Sequence, residues 1–136
     1  MSTWPSEPVW LTIEDILESH EEQLQLFGGS PGIRDLGLIE SALARPQQLF
    51  HYHGEYDVLT LAVRLGVGLA KNHGFVDGNK RAGAVAMIEF LMLNGYAFEL
   101  PNDIRLGKLF EATVTGAANE EQLIDELFCY IVANDR

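Results

Sequence analysis

Cysteine and long hydrophobic runs are nearly absent from this sequence. Cys129 is the single cysteine among 136 residues, and one thiol forms no intramolecular disulfide, which is typical of proteins from a reducing compartment. The most apolar stretch, residues 82–93, spans about a dozen positions and contains Glu89, whereas a membrane-spanning helix requires roughly 20 apolar residues. Residues 1–5 show no basic region followed by an apolar run, so no secretory signal is predicted. We expect a cytoplasmic protein without membrane contacts.

Positive charge is also scarce. The chain has 9 Lys and Arg residues against 20 Asp and Glu residues, a formal net charge of −11. Nucleic-acid affinity depends on Lys and Arg that neutralise phosphates, so this balance argues against direct binding to DNA or RNA. The few cations are informative because Lys71, Lys80 and Arg81 lie close together in the sequence. A phosphate-binding site is therefore expected in that region.

The remaining composition is that of an ordinary globular protein, with 47% hydrophobic and 21% charged residues. The length predicts one domain, residues 1–136. Hydrophobic spacing and capping residues predict an all-α fold of about six helices. We predict a first helix that ends at Gly28 and a second from Asp35 that is stopped by Pro46, followed by an extended loop over residues 47–56. Two central helices are predicted over residues 58–70 and 82–93. An extended segment at 96–100 and two outer helices over 102–113 and 119–133 complete the chain.

The two central helices are apolar on nearly every side, which predicts that they form the middle of a helical bundle. Small residues such as Gly66 and Gly83 predict that these helices approach each other closely. Arg64 and Glu89 are their lone charges, which either pair or face solvent. Cys129, further along the chain, is predicted to be a core residue.

The loop between the central helices has the composition of an anion-binding site. Residues 72–81 read Asn-His-Gly-Phe-Val-Asp-Gly-Asn-Lys-Arg. The loop ends where a buried helix begins, so free N–H groups and the positive end of the helix dipole face into it. Gly78 lets the backbone approach a ligand, the free N–H groups are those of roughly residues 79–82, Asn79 among them, and Lys80 and Arg81 add two positive charges. A chain of phosphates is the expected ligand.

Two further residues of this loop suggest a reaction. His73 can act as a general base near neutral pH and take the proton from an attacking hydroxyl. Asp77 lies between this base and the anion site, where its carboxylate would hold Mg²⁺ against phosphate oxygens or orient Lys80. Phosphoryl transfer requires positioning, charge neutralisation and an oriented nucleophile, and the loop contains residues for all three.

Each of these residues alone has a simpler structural explanation. A histidine at a helix end is often a cap, Asp-Gly-Asn is often a turn, and a Lys-Arg pair is usually a solvated surface feature. Phe75 is predicted to anchor the loop in the core, and His20 to have a surface or capping role. The coincidence of scarce cations with the start of a buried helix favours the functional interpretation.

The pattern His73-x-Phe75-x-Asp77-Gly78-Asn79-Lys80-Arg81 resembles the signature of the Fic/Doc family. Lysine at position 80, where most Fic proteins have glycine, is similar to the Doc ("death on curing") branch. The similarity extends to residues 28–35, 38–46 and 90–95. The resemblance implies a compact Fic-fold helical bundle.

The resemblance also implies a function. Doc proteins are toxins of toxin–antitoxin modules and act as kinases that transfer the terminal phosphate of ATP to a threonine of elongation factor Tu, which inhibits translation. It implies ATP and Mg²⁺ as cofactors, His73 as the catalytic base and Asp77 as the Mg²⁺-associated carboxylate. The phosphates are then bound at residues 78–81. Residues 47–56 correspond to a flap that aligns the target, and a cognate antitoxin blocks the site.

Two alternatives to kinase activity stay open at this point. Adenylyl transfer is the usual Fic reaction, but Lys80 crowds the phosphate cradle and Ala84 stands where a second arginine is common, so a kinase is favoured. An inactive Fic-fold module retained for partner binding is the other alternative. Gly74 replaces the usual proline after the histidine, which predicts a less rigid loop around His73.

Overall fold

The computed structural model describes residues 6–134 and confirms the all-α fold. Within this range there are six helices and one pair of short strands. The helices are α1 (Ile13–Phe27), α2 (Leu36–His53), α3 (Val58–Asn72), α4 (Asn79–Leu93), α5 (Arg105–Thr115) and α6 (Glu120–Phe128); the strands are β1 (Tyr96–Phe98) and β2 (Ile131–Ala133). None of these helices is long and apolar enough to cross a membrane. Residues 1–5, where no secretory signal is predicted, lie outside the described range.

Helices α3 and α4 form the centre of the bundle, as the sequence predicts. Nearly the whole of α3 is buried, and Leu61 and Val67 are fully inaccessible. A Cβ atom added to Gly66 would lie 2.7 Å from the carbonyl oxygen of Gly83, so side chains larger than hydrogen do not fit between the two backbones here. This close packing fixes the end of α3 relative to the start of α4.

Arg64 and Glu89, the lone charges predicted within the central helices, both contact outer helices. Arg64 on α3 binds Glu120 at 2.8 Å and Glu121 at 3.1 Å, which ties α6 to the back of the bundle. Glu89 on α4 accepts a 2.7 Å hydrogen bond from the Ser19 hydroxyl of α1. The two charges therefore attach outer helices to the centre rather than pairing with each other.

Helix α2 corrects two predictions. It does not stop at Pro46 but continues to His53 and ends at Gly54, which has a left-handed backbone. Pro46 lacks the N–H that a helix interior uses, yet its ring is fully buried, and this packing compensates for the missing hydrogen bond. Residues 47–53 are thus the last turns of a helix and not an extended flap.

The C-terminal elements differ from the sequence prediction at their ends. The extended segment at residues 96–100 is confirmed as β1, but the last helix is shorter than predicted, since α6 ends at Phe128. The chain then turns, and β2 pairs antiparallel with β1, with Phe98 opposite Ile131. Cys129 lies on the outside of this turn and is exposed, so the prediction of a core cysteine is wrong.

Candidate active site

His73 ends helix α3 in a conformation that L-residues seldom adopt. Its backbone is left-handed, with φ 52° and ψ 46°, and it is the one non-glycine residue with positive φ in residues 6–134. A left-handed non-glycine residue costs about 1–3 kcal/mol and persists where its surroundings hold it. The side chain is exposed and lines a cleft. The strained backbone therefore coincides with the predicted catalytic base.

The active-site loop, residues 73–78, is anchored by Phe75 and closed by Asn79. Phe75 is 3% exposed, which confirms the predicted core anchor. The side-chain amide of Asn79 accepts from the N–H of Phe75 and donates to its carbonyl oxygen, both at 3.0 Å. These two bonds hold the Asn79 side chain against the loop, while its main-chain N–H lies at the start of α4, where the predicted contact with phosphate is expected.

His20 of α1 packs against the active-site loop. Its ring is 5% exposed and stacks on Phe75 with 3.7 Å between ring centroids and 8° between ring planes. Its Nε2 lies 2.8 Å from the carbonyl oxygen of Asp77. The predicted surface or capping role of His20 is therefore wrong, because the loop folds back over α1 and buries this histidine.

Asp77 is exposed toward the cleft and is held by main-chain donors. Oδ1 accepts from the N–H of Gly78 at 2.9 Å, and Oδ2 accepts from the N–H of Ser30 at 3.0 Å. These two hydrogen bonds, with a smaller contribution from the charges of Arg81 and His20, hold the pKa of the Asp77 carboxyl below its usual range. Asp77 is consequently a carboxylate at neutral pH.

The first turn of α4 presents an open helix N-terminus to the cleft. The turn is preceded by Gly78, which is left-handed with φ 78° and offers no side-chain cap. The first N–H groups of a helix have no partner within the helix, and the dipole makes this end positive. Lys80 and Arg81 are exposed beside it. The start of α4 therefore has the donors and the charge to bind phosphate.

Both cations of this turn have neighbours across the cleft. The Arg81 guanidinium lies 4.6 Å from the centre of the Phe27 ring, a cation–π arrangement with the end of α1. The Lys80 ammonium lies 3.6 Å from Glu111 Oε1 on α5. The Lys80–Glu111 pair is solvent-exposed, so the lysine is available to a ligand that competes for it.

The cleft brings all six predicted site residues together: His73, Asp77, Gly78, Asn79, Lys80 and Arg81. Its volume is about 1160 Å³, comparable to the larger small-molecule sites of proteins. The opposite wall is formed largely by α5 and the residues before it, which sequence reasoning missed: Asp103, Ile104, Gly107, Lys108, Phe110 and Glu111. Their spacing is that of any surface helix, and no local motif marks them.

The donor set is compatible with Mg²⁺ bound together with phosphate. Each oxygen of Asp77 accepts one N–H and retains a free lone pair. Within residues 6–134 no group of three or more His, Cys, Asp or Glu side chains is arranged to hold a metal. Mg²⁺ usually binds one or two carboxylates and completes its shell with substrate phosphates and water. Asp77 is the residue that would hold it.

Residues 28–35, here termed the bracing loop, run alongside the active-site loop. The N–H of Val76 donates to Gly32 O at 3.0 Å, and Gly28 and Gly29 line the cleft. The predicted flap, residues 47–56, contributes no residue to the cleft lining. The segment that borders the predicted catalytic residues is therefore the bracing loop before α2, and not residues 47–56.

Gly74 is not a loose position. It is buried, and an added Cβ would overlap Ile39 of α2. Its carbonyl oxygen accepts from the N–H groups of Arg34 at 2.8 Å and Asp35 at 2.9 Å. The expectation of a less rigid loop is therefore wrong: close packing and the bracing loop hold this position in place of a proline ring.

Comparison with known proteins identifies the family. The family model described as Fic/DOC family matches residues 10–91, more than half of the chain. "Toxin Doc" of Mycolicibacterium smegmatis (strain ATCC 700084 / mc(2)155) is 35% identical over 109 residues, which cover 79% of this chain and 84% of that protein. "Protein kinase doc" of Escherichia phage P1 is 29% identical over 115 residues, which cover 84% of this chain and 89% of that protein. This chain belongs to the Fic/DOC family.

Proposed function

We propose that this protein is the toxin of a toxin–antitoxin module and acts as a protein kinase of the Doc type. It transfers the γ-phosphate of ATP to a protein hydroxyl, and the proposed acceptor is a threonine of elongation factor Tu, so that translation is inhibited. Two relatives carry the names "Toxin Doc" and "Protein kinase doc". These names support a toxin and a kinase, respectively.

The observation that carries the proposal is the position of His73 relative to α4. The imidazole and the uncapped first turn of α4 line the same cleft. A phosphate bound at the helix N-terminus would lie between the cations of that turn and the base. This arrangement supplies the neutralisation of charge and the oriented nucleophile that phosphoryl transfer requires.

The proposed reaction begins with an acceptor hydroxyl beside His73. The imidazole takes the proton of the hydroxyl while the hydroxyl oxygen forms a bond to the γ-phosphorus of ATP. The bond between that phosphorus and the oxygen that bridges it to the β-phosphate breaks, and ADP leaves. The main-chain N–H groups at the start of α4, together with Lys80 and Arg81, bind the phosphate oxygens. Mg²⁺, when bound at Asp77, neutralises further phosphate charge.

Two residues of the cleft favour γ-phosphate transfer over AMP transfer. Lys80 replaces a glycine of most Fic proteins, and its charged side chain lines the cleft beside the first turn of α4. Ala84 lines the cleft one turn further along α4 and offers no guanidinium. Adenylyl transfer, which relies on a second arginine there, therefore lacks a contact in this chain.

The proposed partners follow from the same site. The protein substrate enters the cleft beside His73, and a cognate antitoxin covers the cleft. The net charge of −11 disfavours direct contact with nucleic acid, so none is proposed. The proposed setting is the cytoplasm, where ATP and the translation factor are present.

The test is transfer of radiolabel from ATP to purified elongation factor Tu. Label from the γ-position should enter the factor, and His73→Ala should reduce the rate by roughly 10²–10⁴-fold, the usual contribution of a general base. His53→Ala removes an exposed histidine outside the cleft lining and should keep the wild-type rate. Label from the α-position would instead establish AMP transfer. A third outcome is that the wild-type protein transfers neither label and that cells expressing it grow as well as cells that express His73→Ala. That pair of results would indicate an inactive binding module.

A further inference from the structure

We propose that Arg34 is a positioning residue for His73. Its guanidinium binds the carbonyl oxygens at the end of α3 and holds His73 in the left-handed conformation that directs the imidazole into the cleft. The kinetic consequence rests on the proposed function, whereas the effect on loop geometry does not.

Arg34 binds three consecutive carbonyl groups. Its Nε donates to His73 O at 2.6 Å, and its Nη2 donates to Asn72 O at 3.3 Å. Its own main-chain N–H donates to Gly74 O at 2.8 Å. The last carbonyls of a helix have no partner within it, and the dipole makes this end negative. One residue of the bracing loop thus binds carbonyl groups on both sides of His73.

The geometry of the side chain suits this role. The guanidinium is planar, and its Nε and Nη2 donors point from one edge in a fixed fork. Within residues 6–134 it forms no ion pair with a carboxylate; the neighbouring Asp35 caps α2 instead. A surface arginine without an acidic partner usually extends into solvent, but this one is held by main-chain acceptors of the active-site loop.

His73 needs support of its own, because the packing and hydrogen bonds of Gly74 hold the following residue and do not bind the carbonyl oxygen of His73. A left-handed backbone at a non-glycine residue relaxes unless it is held. The hydrogen bond from Arg34 to His73 O resists rotation of the peptide that joins His73 to Gly74. Without it, the imidazole would sample orientations outside the cleft.

The first test measures loop order and requires no activity. Amide hydrogen exchange of residues 73–78 should be faster in Arg34→Ala than in wild type, while thermal unfolding remains cooperative. Arg34→Lys retains a single ammonium donor group and should give intermediate exchange. Arg45→Ala removes an arginine that pairs with Glu120 outside the cleft lining, and it should leave exchange in residues 73–78 unchanged. Equal exchange in wild type and Arg34→Ala would overturn the proposal, whether or not the wild type is a kinase.

The second test is kinetic. Misplacement of a reacting group by about 1 Å can reduce the rate by about 10²-fold. The kcat of Arg34→Ala should therefore fall by roughly 10–10²-fold, while its KM for ATP should stay nearly unchanged. Ethylguanidinium added to Arg34→Ala should restore part of kcat, and it should have no effect on His73→Ala. A change confined to KM, or no change in kcat, would contradict the positioning role. Absence of transfer by the wild type would count against the kinase alone, because the exchange experiment decides the role of Arg34.

Discussion

Asp77 is the site residue whose charge is fixed most directly by its surroundings. Both of its oxygens accept main-chain N–H groups, one from the bracing loop and one from Gly78. These bonds favour the ionised form and lower the pKa of the carboxyl. Because the folded-state pKa lies below the unfolded-state value of about 3.9, ionisation of Asp77 stabilises the fold at pH values above 3.9. That contribution is lost as the pH falls through the folded-state pKa.

The resulting prediction concerns Asp77→Asn. The amide nitrogen would face a main-chain N–H, so this variant should unfold at lower urea concentration than wild type at pH 7. The difference should shrink as the pH is lowered toward 3. Equilibrium urea unfolding at several pH values measures this, and Asp125→Asn, an exposed acid on α6, is the matched control. A difference between wild type and Asp77→Asn that stays constant with pH would contradict the assignment.

At the residue scale, the sequence predicts the roles that depend on neighbouring residues. Lys80 and Arg81 are exposed in the first turn of α4, as the motif predicts, because two adjacent charged residues at a helix start are seldom buried. His20 and Arg34 were not recognised because their roles depend on contacts with residues 57 and 39 positions away. Contacts between residues so far apart in the sequence cannot be predicted from the spacing of neighbouring residues.

At the scale of elements, α4 and α5 face each other across the cleft through Lys80 and Glu111. The Glu111 carboxylate competes with phosphate for the Lys80 ammonium, so the Glu111→Gln variant should bind ATP more tightly than wild type. Exposed ion pairs are worth about 0–1 kcal/mol, which limits the gain to roughly 5-fold, and the gain should diminish at high salt. Calorimetric titration at two salt concentrations measures the affinity. Glu126→Gln on α6 serves as control, and weaker binding by Glu111→Gln would refute the competition.

The elements themselves were predicted with different success. The central helices are identified by sequences that are apolar except for one charge each, and Gly66 and Gly83 lie where the two backbones are too close for a larger side chain. Helix α2 was cut short in the prediction because a proline normally ends a helix, and burial of Pro46 overrides that preference. Residues 131–133 fit a helical pattern as well as a strand, and only their pairing with β1 decides between the two.

At the scale of the whole molecule, the cleft joins parts that the sequence keeps far apart. The end of α1, the active-site loop and α5 all contribute to its lining, although α5 lies beyond the segment that the family model matches. The motif therefore predicts the reacting groups but not the wall opposite them. The assignment of residues 1–136 to one domain stays a prediction.

A ligand that contacts all of these parts should stabilise the whole fold. A ligand at 100 times its dissociation constant adds about 2.7 kcal/mol to the free energy of unfolding. For a chain of this length each kcal/mol of added unfolding free energy raises the melting temperature by roughly 3–5 °C. Saturating ATP with Mg²⁺ should therefore raise the melting temperature by roughly 10 °C. Arg81→Ala should lose most of this increase, because it removes a cation from the first turn of α4. Arg45→Ala, altered outside the cleft, should retain it. An equal increase in both variants would place the bound nucleotide elsewhere, since a ligand stabilises the folded state only through the groups that it contacts there.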